Sequence, residues 1–433
     1  MNHIHSFTKS FVILILLCGT VLLTGCRGQQ VSDTASPSSG SEVLSPRPIV
    51  WSLPTDPLFD PPDIITEPSG KWLDPANRTW QGASPGIART RGGRLFACLF
   101  SGGRREPEDA NYAIFMLSDD DGETWIDPFL IVDHPHNRVR IFDPSVQVDP
   151  LGRLWLSWNQ DNSANRPSQW GWWTIRIDNP DLPLDELVKT ISETEPVRIS
   201  DGLKINKFIV LDNGDWLQPV GTNGNAFINV YASADQGDTW SLRGRMLGNA
   251  KALEPMMVQK HDGRLWLLSR LWLQGESAQV NGGIGQSFSN DNGVNWLPLE
   301  ENLPDPIIGP NSRFYIGRLK SGALLFITNA SKSARTNMTA YLSYDDGLSW
   351  PYSLLLDERA GAGISELRIS AAWDGPSYPD SVEDEEGRIY VVWDFQRYTS
   401  MELLLSVFTE DDVKAASFVS AASRSRVVVS RGL

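Results

Sequence analysis

The fold is decided by the stretch Arg335-Thr-Asn-Met-Thr-Ala-Tyr-Leu-Ser-Tyr-Asp-Asp-Gly-Leu-Ser-Trp350. Its last eight residues recur three more times, with Ser, Asp, Gly and Trp in the same register, at residues 118–125, 233–240 and 289–296. Each copy follows a largely apolar run. Asp and Asn accept hydrogen bonds from the backbone just downstream, Gly allows a positive φ, and Trp can pack back over the turn. The pattern therefore predicts a strand, a tight turn and a returning strand, repeated along the chain.

A second repeated element is a short polar turn with Gly, followed by an apolar strand. It occurs six times, at Gly93, Gly152, Gly214, Gly263, Gly322 and Gly387. Six units with several short strands each favour an all-β, six-bladed β-propeller over a sandwich, because a radial arrangement leaves only short, protected edges. The sequence leaves a seventh blade open, since residues 50–75 and the run 402–408 must also help to close the ring.

Composition narrows the class of protein. The chain has 433 residues, of which 41% are apolar and 10% aromatic, and this composition favours a large core rich in β structure. A formal charge of −15 argues against nucleic acid and anionic membrane surfaces as partners. We expect no cofactor and no metal, because the sequence contains neither a Gly-rich nucleotide loop nor a set of ligands at metal-binding spacing. We also expect a monomer.

The N-terminus has the features of a targeting segment. Lys9 precedes an apolar run, residues 11–23, that is short for a membrane span, and the run ends in Leu23-Thr24-Gly25-Cys26. This ending resembles a bacterial lipoprotein signal, which implies lipidation of Cys26 and removal of the residues before it. An ordinary secretory signal is the alternative. Residues 27–48 predict a flexible tether and residues 49–433 a single propeller domain, anchored in the bacterial cell envelope on its periplasmic or outer side.

The turn repeats resemble the Asp boxes of the sialidase (neuraminidase) superfamily. Members of that family carry, in this order, a Glu, an Arg about fifteen residues later, an Arg just before an Asp box, and a Tyr. The matching positions in this sequence are Glu254, Arg270, Arg335 and the Tyr of Ser377-Tyr-Pro-Asp380. Order and approximate spacing both agree, so the resemblance extends from the fold to a candidate active site.

The resemblance also implies roles for these residues. Tyr378 would be the nucleophile, because the anomeric carbon of sialic acid bears a carboxylate that repels an anionic nucleophile. Glu254 would accept the tyrosine proton, so we expect the two side chains within hydrogen-bond reach of each other. Arg270 and Arg335 would bind the substrate carboxylate. The alternative interpretations are that Tyr378 is a packed aromatic, that Glu254 is a solvated loop carboxylate, and that Arg270 and Arg335 form surface ion pairs.

Two departures from the family pattern stand out. Ala83 occupies the place of a third carboxylate-binding Arg, although Pro85 nearby matches the motif, so we expect Arg140 or Arg313 to enter the pocket instead. The family's general acid falls in the loop before the first Asp box, where Asp109 or Glu108 would serve; a solvated loop carboxylate is the alternative.

The expected function is that of a sialidase-like exo-glycosidase that releases a terminal acidic sugar, sialic acid or similar, from a glycan. The altered arginine set favours an alternative, a hydrolase or lyase acting on glycans that contain uronic acids. A non-catalytic glycan-binding propeller is the third reading. The Glu–Tyr pair argues against it, because a binding module needs no proton acceptor beside a tyrosine.

Overall fold

The computed structural model describes residues 56–162, 170–222, 224, 226–272, 283–301, 303–365 and 369–432. The signal segment, Cys26 and the tether lie outside these residues, so the lipid anchor and the domain boundaries stay predictions. In the described ranges, no helix combines the length and the apolar character needed to cross a membrane.

Six antiparallel sheets, each built from one contiguous stretch of chain, are arranged as a β-propeller. Blade 1 contains β2–β5 with β1 at its outer edge: β1 (Asp63–Ile65), β2 (Gln81–Arg89), β3 (Leu95–Ser101), β4 (Tyr112–Ser118) and β5 (Ile126–Asp133). Blade 2 contains β6 (Arg140–Val148), β7 (Leu154–Asp161), β8 (Gly171–Ile177) and β9 (Val197–Asp201). Blade 3 contains β10 (Ile209–Val210), β11 (Trp216–Gly221), β12 (Phe227–Ser233) and β13 (Ser241–Leu247).

The second half of the ring has the same meander order. Blade 4 contains β14 (Ala252–Gln259), β15 (Leu265–Leu271) and β16 (Ile284–Ser289). Blade 5 contains β17 (Tyr315–Arg318), β18 (Leu324–Asn329), β19 (Met338–Ser343) and β20 (Tyr352–Asp357). Blade 6 contains β21 (Ser377–Glu383), β22 (Ile389–Phe395), β23 (Glu402–Phe408) and β24 (Arg424–Arg431). The predicted six-bladed, all-β fold is confirmed, and the residues described form no seventh blade.

Among the residues described, the helices include α1 (Leu184–Glu193) and α2 (Glu410–Ala415) and the short 3-10 helices Pro57–Phe59, Gly70–Trp72 and Pro75–Asn77. The α-helices connect the third and fourth strands of blades 2 and 6, the two blades whose sequences have no Asp box. Helix and Asp-box turn therefore occupy the same place in different blades.

The Asp boxes form the turns that the sequence predicts. In the first, Asp120 Oδ1 accepts a hydrogen bond from Thr124 N at 2.9 Å, and Ser118 Oγ accepts one from Gly122 N, also at 2.9 Å. Trp125 Nε1 donates to the Gly122 oxygen at 3.2 Å, which fastens the indole over the turn. The Ser, Asp and Gly contacts recur in the other three copies.

The repeated turns also show where a site can lie. The six Gly turns connect the first and second strands of each blade, and the Asp boxes follow third strands. In an antiparallel meander these connections share one end of the blade. The other end carries the start of each first strand and the loops between second and third strands. The first strands of blades 1, 2, 4, 5 and 6 pack on first strands of neighbouring blades, so they are inner strands of the ring.

The ring closes between blade 1 and blade 6. Gln81 N donates to the Arg397 oxygen at 3.0 Å, and Gln81 Nε2 donates to Ser430 Oγ at 2.9 Å. The strands of these two blades pack through a buried apolar cluster that includes Ile114 and Val392. The run Glu402–Phe408, expected to take part in closure, is the third strand of blade 6.

Two turn glycines with nearly equal φ offer a test of turn packing. A Cβ at Gly347 (φ +86°) would lie 2.6 Å from Trp266 Cζ3, whereas a Cβ at Gly263 (φ +85°) would meet nothing within 4 Å. Gly263→Ala is expected to lower the free energy of unfolding by roughly 1–2 kcal/mol, the cost of a left-handed residue with a side chain. Gly347→Ala is expected to lower the free energy of unfolding by roughly 1–3 kcal/mol more, because the new Cβ overpacks against Trp266. Denaturant unfolding measures both, and equal losses would contradict the packing of Trp266 on the Asp box.

Candidate active site

Four inner strands share one irregularity near the end where the site lies. In each, a non-glycine residue with positive φ precedes a proline, and the strand pairing shifts register there. The four residues are Ser84 (φ +44°), Asp143 (φ +43°), Glu254 (φ +48°) and Tyr378 (φ +57°). Proline cannot donate to the ladder and is tolerated at such bulges, which turn a side chain out of the regular alternation. Positive φ at non-glycine residues is uncommon and clusters at functional sites.

Buried side-chain donors hold the main-chain oxygens that these bulges expose. Asn206 Nδ2 donates to the oxygens of Glu254 and Pro255, both at 3.0 Å. Asn159 Nδ2 donates to the Asp143 oxygen at 3.1 Å. These hydrogen bonds go to main-chain oxygens, so they fix the backbone of a bulge whatever side chain the bulge residue carries.

Glu254, Arg270 and Tyr378 meet at a single nitrogen atom. Arg270 Nη1 lies 2.6 Å from Glu254 Oε1 and 2.5 Å from the Tyr378 hydroxyl. The expected direct contact between Glu254 and Tyr378 is thus replaced by a bridge through Arg270. Glu254 Oε2 is buried and has no hydrogen-bond partner, so this oxygen is available to accept a proton.

Arg335 lies over the ring of Tyr378, with its guanidinium carbon 5.0 Å from the ring centre. Its Nη2 donates to the Asn311 main-chain oxygen at 3.2 Å, while Asn311 Oδ1 accepts from Arg270 Nε at 2.6 Å. Among the residues described, no carboxylate lies within salt-bridge distance of Arg335, and its Nε is buried without a partner. Glu254, Arg270, Arg335 and Tyr378 are each between 5% and 7% exposed, so the structure brings the four predicted residues together in one buried site.

A further arginine, Arg397, takes part in the site and was missed in the sequence. Its guanidinium carbon lies 4.4 Å from the centre of the Tyr378 ring. Its side chain enters from the loop after β22 and crosses Gly82, where a Cβ would lie 2.5 Å from Arg397 Cγ. The absence of a side chain at Gly82 therefore leaves the space that Arg397 fills. Arg397 forms ion pairs with Asp394 (2.6 Å) and Glu106 (3.2 Å).

The two arginines that were expected to replace the missing one have other partners. Arg140 Nη2 pairs with Asp161 at 3.2 Å, its cross-strand neighbour on β7. Arg313 is 2% exposed, and its Nη2 donates to the main-chain oxygens of Pro85, of Tyr378 (3.3 Å) and of Pro379 (3.2 Å). Arg313 thus fixes two of the bulges, and Arg397 supplies the third guanidinium group close to the Tyr378 ring.

The charged groups around Tyr378 shift the pKa of its hydroxyl in opposite directions. Burial raises the pKa of the Tyr378 hydroxyl, and Glu254 acts in the same direction, whereas Arg270, Arg335 and Arg397 act to lower that pKa. The phenol is therefore neutral at rest, and the cationic groups stabilise the phenolate once a proton acceptor is engaged. Burial also lowers the pKa of Arg335, because no carboxylate compensates its charge directly.

The loop of residues 102–111 holds the predicted general acids. Glu108 Oε2 accepts a hydrogen bond from Arg104 N at 2.8 Å, which closes the loop on itself. Asp109 is partly exposed. Glu106, in the same loop, pairs with the guanidinium group of Arg397. Within the described residues, no group of three or more His, Cys, Asp or Glu could hold a metal ion.

Asp143 is the other acidic residue at a bulge. Its Oδ1 accepts a hydrogen bond from Ser84 Oγ on the neighbouring blade. Burial raises the pKa of Asp143 to about 7, with further raising contributions from Glu106 and Glu254 and opposing ones from Ser84 and Arg140. Its carboxyl group is therefore protonated in part of the molecules at neutral pH.

Comparison with known proteins bears on the family and the fold. A family model described as a BNR repeat-like domain matches residues 93–391, more than half of the chain. The chain belongs to the BNR repeat-like domain family. The sialidase of Micromonospora viridifaciens is 34% identical to this BNR-repeat protein over 155 residues, a match that covers 34% of this chain and 22% of the relative. The chain thus matches about a fifth of that protein's length.

Solved structures with the same fold include several sialidases. A Hadza microbial sialidase superimposes on the BNR-repeat protein with a TM-score of 0.55 at 18% identity, covering 74% of this chain and 64% of that one. The NanB sialidase from Streptococcus pneumoniae gives a TM-score of 0.56 at 14% identity, covering 82% and 71%. The BNR/Asp-box repeat family predicted from the turn repeats is confirmed by the family model, and the solved sialidases share the fold.

Proposed function

We propose that this protein is a glycoside hydrolase that releases a terminal acidic sugar from a glycan, with Tyr378 as nucleophile. The observation that carries the proposal is the arrangement around Tyr378: a hydroxyl held by the Glu254–Arg270 pair, beneath an Arg335 guanidinium without a carboxylate partner among the described residues. A buried, uncompensated cation needs an anion. A carboxylate on the substrate satisfies that need.

Arg335 and Arg270 form the strongest part of a carboxylate site. Guanidinium groups bind carboxylates through paired hydrogen bonds, and both arginines are oriented by the single residue Asn311. Arg397 adds a third positive group, but Asp394 and Glu106 already neutralise much of its charge. The site thus favours one negative charge on the ligand.

The chemistry follows from the neutral phenol. In the first step the Tyr378 oxygen bonds to the anomeric carbon, Glu254 takes the tyrosine proton, and the bond to the leaving oxygen breaks with its electron pair on that oxygen. In the second step water attacks the same carbon and gives up one proton, the electron pair of the Tyr378–carbon bond returns to the tyrosine oxygen, and the proton held by Glu254 returns to the phenolate. The proton that water loses balances the one that the leaving oxygen takes up in the first step. Arg270 touches both groups and so stabilises whichever of them carries the negative charge.

A second candidate substrate is a uronic-acid-capped glycan, cleaved by hydrolysis or by elimination. The observation that favours it concerns the third guanidinium group. The family arginine is absent at Ala83, and the group is supplied instead by Arg397 of blade 6, which is ion-paired with Asp394. A carboxylate site in which two of the three guanidinium groups, those of Arg270 and Arg397, already pair with protein carboxylates is less specialised for sialic acid. The non-catalytic alternative has no comparable observation in its favour.

The experiment is a parallel screen of sialosides and uronic-acid-capped oligosaccharides, each as the free acid and as its carboxyl methyl ester. We expect release of the terminal sugar from at least one acid. Its ester should show a kcat/KM lower by roughly 10- to 150-fold, the equivalent of one charge-assisted hydrogen bond of about 1.5–3 kcal/mol. Elimination would be detected as an unsaturated product.

Arg335→Ala should remove most of the preference for acid over ester. Arg318→Ala is the matched control, because Arg318 lies in the same blade at the opposite end and pairs with Asp346 at 2.5 Å. Equal turnover of acid and ester by the unaltered protein, or no release from any substrate, would overturn the proposed function.

A further inference from the structure

Asp143 occupies the position in blade 2 that Glu254 occupies in blade 4 and Tyr378 in blade 6. All three precede a proline at a bulge of the inner strand, with positive φ. Phe142, the neighbour of Asp143, lies in the same buried apolar cluster as Ala83 and Tyr378. Asp143 keeps part of its surface accessible, as a residue that lines a recess does. One blade therefore separates Asp143 from each of the other two residues around the ring.

The surroundings of Asp143 differ from those of Glu254. Glu254 is paired with Arg270 at 2.6 Å, whereas no Arg or Lys in the described residues forms an ion pair with Asp143. Its direct side-chain partner is the neutral hydroxyl of Ser84, and the acidic groups that act to raise its pKa are Glu106 and Glu254. Arg140 acts on it only at longer range, since the guanidinium group is paired with Asp161. Two carboxylates whose environments differ in this way divide into an acid and a base.

We infer that Asp143, oriented by Ser84, is the residue that protonates the leaving oxygen. The inference rests on the proposed function. Asp143 would donate its proton as the bond from the anomeric carbon to that oxygen breaks, and the electron pair stays on the oxygen. The resulting carboxylate would then take a proton from the water that attacks the anomeric carbon, while the electron pair of the Tyr378–carbon bond returns to the tyrosine oxygen. Each proton and electron pair is accounted for within this cycle.

The test uses two substrates with the same acidic sugar but different leaving groups. Loss of a general acid matters for an alkoxide leaving group and hardly at all for 4-nitrophenolate, which leaves without a proton. Asp143→Asn is expected to lower kcat/KM by roughly 10²- to 10⁴-fold on the oligosaccharide and by less than about tenfold on the 4-nitrophenyl glycoside. It should also remove the fall in kcat/KM that the unaltered enzyme shows as pH rises through about 7.

Ser84→Ala provides a second variant that keeps the acid. The Ser84 hydroxyl bonds to the carboxylate form and so acts to lower the pKa of Asp143. Its removal should raise that pKa and shift the basic limb of the kcat/KM profile to higher pH. A residue with only a structural role would not move this limb.

Three results would count against the inference. Equal losses on both substrates in Asp143→Asn would mean that Asp143 binds the sugar and does not protonate the leaving group. The leaving-group dependence appearing in Asp109→Asn would assign the role to Asp109. An unaltered enzyme that cleaves neither substrate would overturn the proposed function itself, and this outcome is separate from the first two, which require an active enzyme.

Discussion

Tyr378→Phe is expected to lower kcat by roughly 10⁴-fold or more, on the scale observed when a covalent nucleophile is removed. The fold should persist, because the substitution deletes one hydroxyl while Arg270 keeps its bonds to Glu254 and Asn311. Loss of the Arg270–Tyr378 hydrogen bond should lower the free energy of unfolding by only about 1 kcal/mol. Steady-state kinetics on the acidic substrate and denaturant unfolding measure the two effects.

Tyr390→Phe is the matched control for that experiment. Tyr390 is fully buried in the same blade, and its hydroxyl donates to Asp121 Oδ1 at 2.5 Å at the opposite end of the propeller. Its substitution removes a buried hydroxyl too but should leave kcat unchanged. Turnover by Tyr378→Phe within tenfold of the unaltered protein would exclude Tyr378 as the nucleophile.

The second large effect is on stability. Arg270→Met is expected to lower the free energy of unfolding by roughly 3–5 kcal/mol, because it leaves the Glu254 carboxylate buried without its counter-ion. Burial, which acts to lower the pKa of Arg270, is outweighed by Glu254 and Tyr378, which raise it, so the guanidinium is charged at every working pH.

The double variant Arg270→Met with Glu254→Gln separates stability from catalysis. It removes both charges, so most of the lost stability should return, while turnover should be absent in the double variant and in both single ones. Calorimetric or denaturant unfolding of the four proteins gives the coupling between the two residues. A double variant as unstable as Arg270→Met alone would show that packing, and not the charge pair, dominates at this place.

Much of the fold could be predicted because its determinants are local. An Asp box makes its hydrogen bonds within eight residues, as Ser118, Asp120 and Thr124 show, so the sequence alone specifies the turn. The six Gly turns are also specified by local sequence, so their number predicts the number of blades. Glu254, Arg270, Arg335 and Tyr378 were found through the family resemblance, and their convergence is a consequence of the ring.

What could not be predicted depends on contacts across the ring. Nothing near Arg397 in the sequence shows that its side chain will cross Gly82, since 315 residues separate the two positions. Arg140 was a reasonable candidate until its register opposite Asp161 was known. One local signal was available and was overlooked: Asp143, like Glu254 and Tyr378, directly precedes a proline close to the start of an inner strand.

The bulges have a consequence for how such a protein acquires new chemistry. Their backbone path is set by a proline and by donors such as Asn206, Asn159 and Arg313, none of which depends on the side chain that the bulge presents. That side chain can therefore be exchanged without repacking a blade. A library restricted to the residues before the four prolines would sample different acids, bases and nucleophiles around one axis, and members that keep Glu254, the counter-ion of Arg270, should retain most of the parent's thermal stability.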